Sequence, residues 1–247
     1  MEVPAKPPKR RFLAFDIETA KVLPEGVSDI LAHRPLGITC ATAIANDLAE
    51  PRLWFGRDEH RRTSAQMTAQ DAARMVSDLA ALTAQGYTLV TWNGLGFDLD
   101  VLSEESHQTK ECALLAVNHV DMLFHVLCSL GHLLSLQKAA EGMRLPGKKA
   151  GVSGALAPEM WAAGRHQEVL DYCVQDVRLT LRLAEACEGQ RQLAWVTQKG
   201  SLRRMPLSRG WLSVREACAL PVPDTSWMSD PPPRERFLRW VRDAGVA

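Results

Sequence analysis

Phe12-Leu13-Ala14-Phe15-Asp16-Ile17-Glu18-Thr19 is an apolar run that ends in two acids. Residues 11–17 read as a β-strand. Side chains two apart on a strand share a face, so Asp16 and Glu18 point the same way, with Cα atoms about 6.6 Å apart. Carboxylates so placed can share divalent cations. Taken alone the pair decides little, because Asp-x-Glu at a strand end is common by chance.

Two later stretches add acids. Asn93-Gly94-Leu95-Gly96-Phe97-Asp98 supplies a third, and Tyr172-Cys173-Val174-Gln175-Asp176 a fourth, with Tyr172 one helical turn before Asp176. Each has an ordinary reading. The first is an Asn/Gly turn leading to a helix N-cap aspartate; the second is a surface or packing pair on an amphipathic helix. What separates them from chance is the conjunction of type, order and spacing, with 82 residues from Asp16 to Asp98 and 78 from Asp98 to Asp176.

The 247 residues suit one main domain with a C-terminal extension. No apolar stretch approaches the ~20 residues that span a membrane, and the N-terminus lacks the apolar segment of a secretory signal, so the expected location is the cytoplasm. The six cysteines, Cys40, Cys112, Cys128, Cys173, Cys187 and Cys218, form no C-x-x-C pair. They are expected to be buried thiols, neither a zinc site nor a disulfide framework. The formal charge is zero, but residues 1–11 carry four Lys/Arg against one acid and residues 191–247 ten against five, which leaves the middle at −8. An acidic, metal-loaded centre between basic arms suits a phosphodiester polyanion. Residues 1–10, rich in Pro and Lys, read more simply as a flexible basic tail.

The order of elements is α/β. Strands are expected at residues 11–17, 37–45 and 52–55, making an antiparallel meander. A helix follows over 64–84, where Met67, Ala72, Met75, Val76, Leu79 and Leu82 recur at helical spacing. A buried strand over 87–92 delivers Asn93, and a helix starts at Phe97, so Asp98 sits at their junction. Helices over 121–130 and 133–142, a Pro/Gly-rich loop over 145–154 and a helix over 167–188 complete the core. Tyr172 and Asp176 share one stripe of that last helix.

In type, order and spacing these motifs resemble the DEDD (DnaQ-like) 3′→5′ exonucleases, in the subgroup with tyrosine in the third motif, and most closely the exonuclease domains of family B DNA polymerases. The resemblance covers residues 11–188. It implies an RNase H-like fold, a mixed central sheet flanked by helices, and hydrolysis with two Mg²⁺ or Mn²⁺ ions, for which oxygen ligands are apt. By resemblance, Asp16, Glu18, Asp98 and Asp176 hold the metals and Tyr172 orients the attacking water; its alternative role is packing. Lys149, in Lys149-Ala150-Gly151-Val152, matches a lysine that some of these enzymes place between the second and third motifs, although neighbouring Lys148 competes for the assignment. Asn93 and Phe97 either touch the substrate strand or shape the turn. Asp121 either orients an active-site group or only caps the next helix. The implied partner is a single-stranded DNA 3′ end, with RNA as the alternative, since no acid distinguishes the sugar. A nucleic-acid-binding accessory module on the same fold is the other class of function. Nothing matches a polymerase palm, so a free-standing exonuclease or a subunit of a larger machine is expected.

Residues 189–247 form the C-terminal basic extension. Residues 195–197 and 202–207 flank Lys199-Gly200 and read as a β-hairpin bearing Lys199, Arg203 and Arg204, which can follow a phosphate backbone. Trp211, Trp227 and Trp240 either stack on bases or pack the extension onto the domain. The Pro231-Pro232-Pro233 run ends an extended arm before a final helix over 234–243.

Overall fold

The computed structural model describes residues 10–27, 29–147 and 154–246. Strands β1 (Phe12–Thr19), β2 (Ile38–Ala45) and β3 (Arg52–Phe55) form the antiparallel meander, and β4 (Thr88–Thr91) and β5 (Val120–Asp121) add to the other edge of β1 in parallel. The order β3-β2-β1-β4-β5 puts β1 at the centre of a mixed sheet. This is the RNase H-like α/β architecture expected from the sequence.

Period-two alternation on β1 divides the core. Leu13, Phe15 and Ile17 face one apolar cluster, built with helices α1 (Ala69–Ala84), α2 (Asp98–Ser106) and α3 (Thr109–Asn118). Phe12 and Ala14 face the other, covered by α4 (Met122–Leu130), α5 (Leu136–Gly142) and the 25-residue α7 (His166–Gln190), which follows the short α6 (Ala157–Ala162). Asp16 and Glu18 continue the Phe12-Ala14 row. They therefore look toward α7.

Several elements differ from expectation. Helix α1 begins at Ala69, not residue 64, because Thr68 and Asp71 form a capping box that fixes the start, while Met67 donates its N–H to Ile38 O of β2. Helices α3 and α6 and the short α8 (Val214–Cys218) lie where the sequence offered no helix. Among the cysteines Cys218 is exposed, contrary to expectation, and the other five are buried. Among the described residues no helix is long and apolar enough to cross a membrane.

The extension is not an appendage. Its hairpin, β6 (Gln192–Val196) and β7 (Leu202–Pro206), and helix α9 (Glu235–Asp243) send side chains into both clusters, Leu193, Trp195 and Met205 into one and Phe237, Leu238 and Val241 into the other. Trp211 is buried and donates its indole N–H to Ala184 O of α7, and Trp240 donates to Leu95 O. Packing accounts for both. Trp227 alone of the three stays exposed, at 66%.

Trp211 packs edge-on against the buried ring of His125 on α4, whose Nδ1 accepts the Leu212 N–H at 3.3 Å. Burial pushes the imidazole down to about 4, and the charge of Glu216 only partly opposes this. A histidine kept neutral by the fold leaves stability intact above its unfolded value near 6.5 and loses it as pH falls from there toward 4. The thermal midpoint should drop over that window by an amount worth roughly 3 kcal/mol, and His125→Gln should flatten the drop. Parallel melting curves of the two proteins from pH 7 to pH 4 would refute the assignment.

Candidate active site

The first two acids sit where β1 emerges between its neighbours. β1 pairs with β4 only from Phe12 to Ala14, after which the two strands diverge. The Ile17 N–H is thus not taken by the β4 ladder, and Asp98, the first residue of α2, accepts it through Oδ1 at 3.1 Å. A strand-edge donor lying between Asp16 and Glu18 therefore fixes the third carboxylate beside the first two. On the other edge Asp16 pairs with Thr42 and Glu18 with Cys40 of β2, and the register slips by a bulge between Glu18 and Thr19.

The turn that carries Asp98 is held from three sides. Asn93 takes a left-handed conformation, φ 78°, to leave β4. Gly94 donates its N–H to Thr91 Oγ1 at 3.0 Å, and any Cβ there would collide with the same threonine. Asp121 accepts the Asn93 N–H at 3.0 Å and the Leu95 N–H at 2.8 Å while also accepting the Phe124 N–H at 3.0 Å as N-cap of α4. The two roles left open for Asp121 are thus filled together: it caps a helix and latches the acid-bearing turn. Behind it His119, buried, contacts Ala116 O through Nδ1 at 2.6 Å and Thr91 Oγ1 through Nε2 at 3.0 Å. A carbonyl only accepts, so Nδ1 carries the proton, Nε2 accepts from the Thr91 hydroxyl, and Thr91 in turn accepts from Gly94. Burial lowers the His119 pKa and keeps this chain neutral. Asn93 itself shapes the turn, with Oδ1 buried and without a hydrogen bond among the described residues, and Phe97 packs half-buried against the apolar cluster.

The fourth acid comes from α7. Tyr172 and Asp176, one turn apart, are both buried against the face that β1 presents. Between them Cys173 points into the sheet, with Sγ 3.8 Å from Asp16 O and beside Cys40. One ligand atom each of Asp16, Glu18 and Cys173 lie within 4.8 Å of one another. The hydrogen bond with Cys40, then burial and the neighbouring carboxylates, raise the Cys173 thiol well above its ordinary value. No spacing rule pointed to Cys173 or Cys40; their place depends on how α7 crosses β2.

The electrostatics are those of packed like charges. Burial first, then the charges of Asp98, Glu18 and Asp176, drive the Asp16 carboxyl well above the usual range. Burial likewise lifts Asp98 to about 7, although the Ile17 N–H and a hydrogen bond with Asp16 pull the other way. Glu18 and Asp98 are 6% and 3% exposed. Four oxygen-donor side chains converging at one place fit a hard divalent ion, which would relieve their repulsion. Tyr172 is shifted upward by burial and then by Asp176 and Glu18, and its hydroxyl hydrogen bonds with Asp176. At neutral pH it is a donor, never a phenolate.

The remaining expected residues are dispersed. Lys148 and Lys149 lie outside the described residues. Lys199 is on the hairpin turn; Arg203 pairs across from Trp195, and Arg204 across from Ala194, on the opposite face of the pleat.

A mixed sheet with acids gathered at one end of its central strand, and a long helix laid across them, defines a class of fold that many nucleases share. The family profile described as the RNase_H superfamily matches residues 52–188, more than half of the chain and including Asp98, Tyr172 and Asp176. The chain belongs to the RNase H superfamily. Among solved structures, the family B DNA polymerase of the hyperthermophilic archaeon Pyrobaculum calidifontis is similar at 23% identity and TM-score 0.50, over 73% of this chain and 25% of the polymerase. E. coli exonuclease I in complex with a dT13 oligonucleotide is similar at 18% identity and TM-score 0.42, over 74% of this chain and 42% of the exonuclease. The chain thus spans a quarter of the first and about two-fifths of the second. No curated protein matches the sequence.

Proposed function

We propose that this chain is a metal-dependent 3′→5′ exonuclease of the tyrosine-bearing DEDD type, acting on single-stranded DNA ends and releasing 5′-mononucleotides. The observation that carries this reading is the convergence of Asp16, Glu18, Asp98 and Asp176 from β1, α2 and α7, with a protonated tyrosine on Asp176. Two Mg²⁺ or Mn²⁺ ions, when bound, would supply nucleophile activation and relief of charge on the leaving oxygen. The four carboxylates would hold them. Tyr172, anchored by Asp176 and fixed as a donor, orients the attacking water rather than removing its proton. The hairpin cations would hold the strand outside the acidic centre.

The deciding test is a time course on matched 3′- and 5′-labelled DNA and RNA oligonucleotides with Mg²⁺, with Mn²⁺ and with chelator. Mononucleotides lost stepwise from the 3′ end of DNA are expected. Loss from the 5′ end, or no hydrolysis with either ion, would sink the reading; equal or faster trimming of RNA would make the chain an exoribonuclease. Tyr172→Phe is expected to slow the single-turnover rate by about 10²–10⁴-fold while affinity for the oligonucleotide stays nearly constant. A loss of only a few-fold would return Tyr172 to a packing role.

A further inference from the structure

Away from the acids, the hairpin, the loop after α4 and the arm before α9 enclose a groove of about 800 Å³. Its walls include His132, Lys138, Trp195, Lys199, Arg203 and Trp227, and among the described residues no acid lines it. Three rings form its apolar part. His132 stands edge-on to Trp195, with centroids 6.2 Å apart, and edge-on to Trp227 at 6.0 Å. Trp195 is buried beneath the hairpin, whereas Trp227 offers an exposed face.

That exposure is built, not incidental. The arm is seated by Thr225 and Pro223 against Gly131, at the end of α4. Asp224 accepts the Ser226 N–H at 2.9 Å, and Met228 donates to Thr225 O at 2.9 Å, closing a turn with Trp227 inside it. Trp211 and Trp240 spend their indole N–H groups on the protein; Trp227 makes no hydrogen bond among the described residues.

The charge is of one sign and available. Arg203, cross-strand from Trp195, and Lys199 on the hairpin turn make no ion pair among the described residues, while Lys138 is shared with Glu141 at 2.9 Å. An exposed indole beside unpaired cations matches a nucleobase and its phosphates, and the volume suits one nucleotide. A wholly apolar partner would leave the cations without counter-charge. From Gly142, which abuts the Trp195 backbone, to Gly154, near the Tyr172 hydroxyl, the chain runs twelve residues, which limits the separation of groove and acids to about 40 Å.

We infer that this groove holds the single strand of DNA upstream of the end being hydrolysed, with a base stacked on Trp227 and phosphates on Lys199 and Arg203. The inference rests on the exonuclease reading for which end is held, and its test separates the two. Binding is measured by fluorescence anisotropy with the full chain in chelator, where nothing is hydrolysed, using a single-stranded DNA 20-mer, the same length of abasic DNA and an RNA 20-mer. Trp227→Ala is expected to weaken DNA about tenfold and leave abasic DNA unchanged, and Trp227→Phe to restore most of the affinity. Arg203→Ala is expected to reduce the log–log salt slope by about 0.7. A parallel loss on RNA supports stacking, since bases are common to both strands. Unchanged DNA affinity in Trp227→Ala overturns the inference, as does an equal loss on abasic DNA. A wild-type protein that never hydrolyses yet shows the Trp227-dependent affinity would refute the nuclease and leave the groove standing.

Discussion

Asp16→Asn is expected to lower the rate of phosphodiester hydrolysis by at least about a thousandfold and, in the same molecule, to raise the thermal midpoint of the metal-free protein. The two effects share one cause. Asp16 is driven upward by burial and by Asp98, Glu18 and Asp176, so the folded state binds protons that the unfolded chain releases. For carboxylates raised in this way the stabilising contribution is full below the unfolded range near 4 and is lost as pH rises through the folded values, about 7 for Asp98. Asn imitates the protonated form and removes one charge from the cluster. A gain of several °C is expected at pH 8 in chelator, shrinking toward pH 4, at about 2–4 °C per kcal/mol for a domain of this size. Calorimetry showing no gain, or a labelled-oligonucleotide assay showing wild-type turnover, would remove Asp16 from the centre of the site.

The second large effect belongs to a residue that touches no substrate. Asp121→Ala would strand three backbone donors, at Asn93, Leu95 and Phe124, in a place where the side chain is 1% exposed. Each unsatisfied buried donor costs about 1–3 kcal/mol, so a loss of at least about 3 kcal/mol is expected. Hydrolysis should fall as well, because the turn aims Asp98, and a displacement of about 1 Å at a catalytic group costs on the order of a hundredfold. Asp121→Asn, which keeps one acceptor and introduces a donor, should lie between. Urea denaturation curves with a common m-value and a midpoint within error of the wild type would show that the latch is dispensable.

The sequence made one half of this site readable. Asp16 and Glu18 had to share a face once β1 was a strand, and the meander was visible in its short β-branched runs. Tyr172 and Asp176 had to share a stripe once α7 was a helix. What could not be read was how the pieces meet. The grip of Asp98 on the Ile17 N–H depends on β4 leaving β1 after Ala14, which is a matter of sheet divergence and not of any local pattern. Helix α3 escaped because Gln108 provides no side-chain cap and its apolar residues surround the helix, with Leu114 exposed as well as Leu115 buried. The start of α1 was drawn too early because Met67 continues the apolar rhythm, although it belongs to the approach over β2. The hairpin was found from its turn, but only the register of its strands separates Arg203 from Arg204.

The Trp240 indole on Leu95 O joins residues 145 positions apart, and the Phe237 ring lies so close to Gly96 that a Cβ there would strike it. Helix α9 is therefore the buttress of the loop that presents Asp98. Contacts spanning so much chain close long loops, whose closure entropy must be offset before the contact is made. A chain that has built its sheet but not docked Trp240 lacks this brace on the loop that presents Asp98. A single proteolytic nick in the arm before α9 would undo that step without touching any acid. The brace on that loop thus waits on a helix far from it in the chain, a form of timing written into chain order alone.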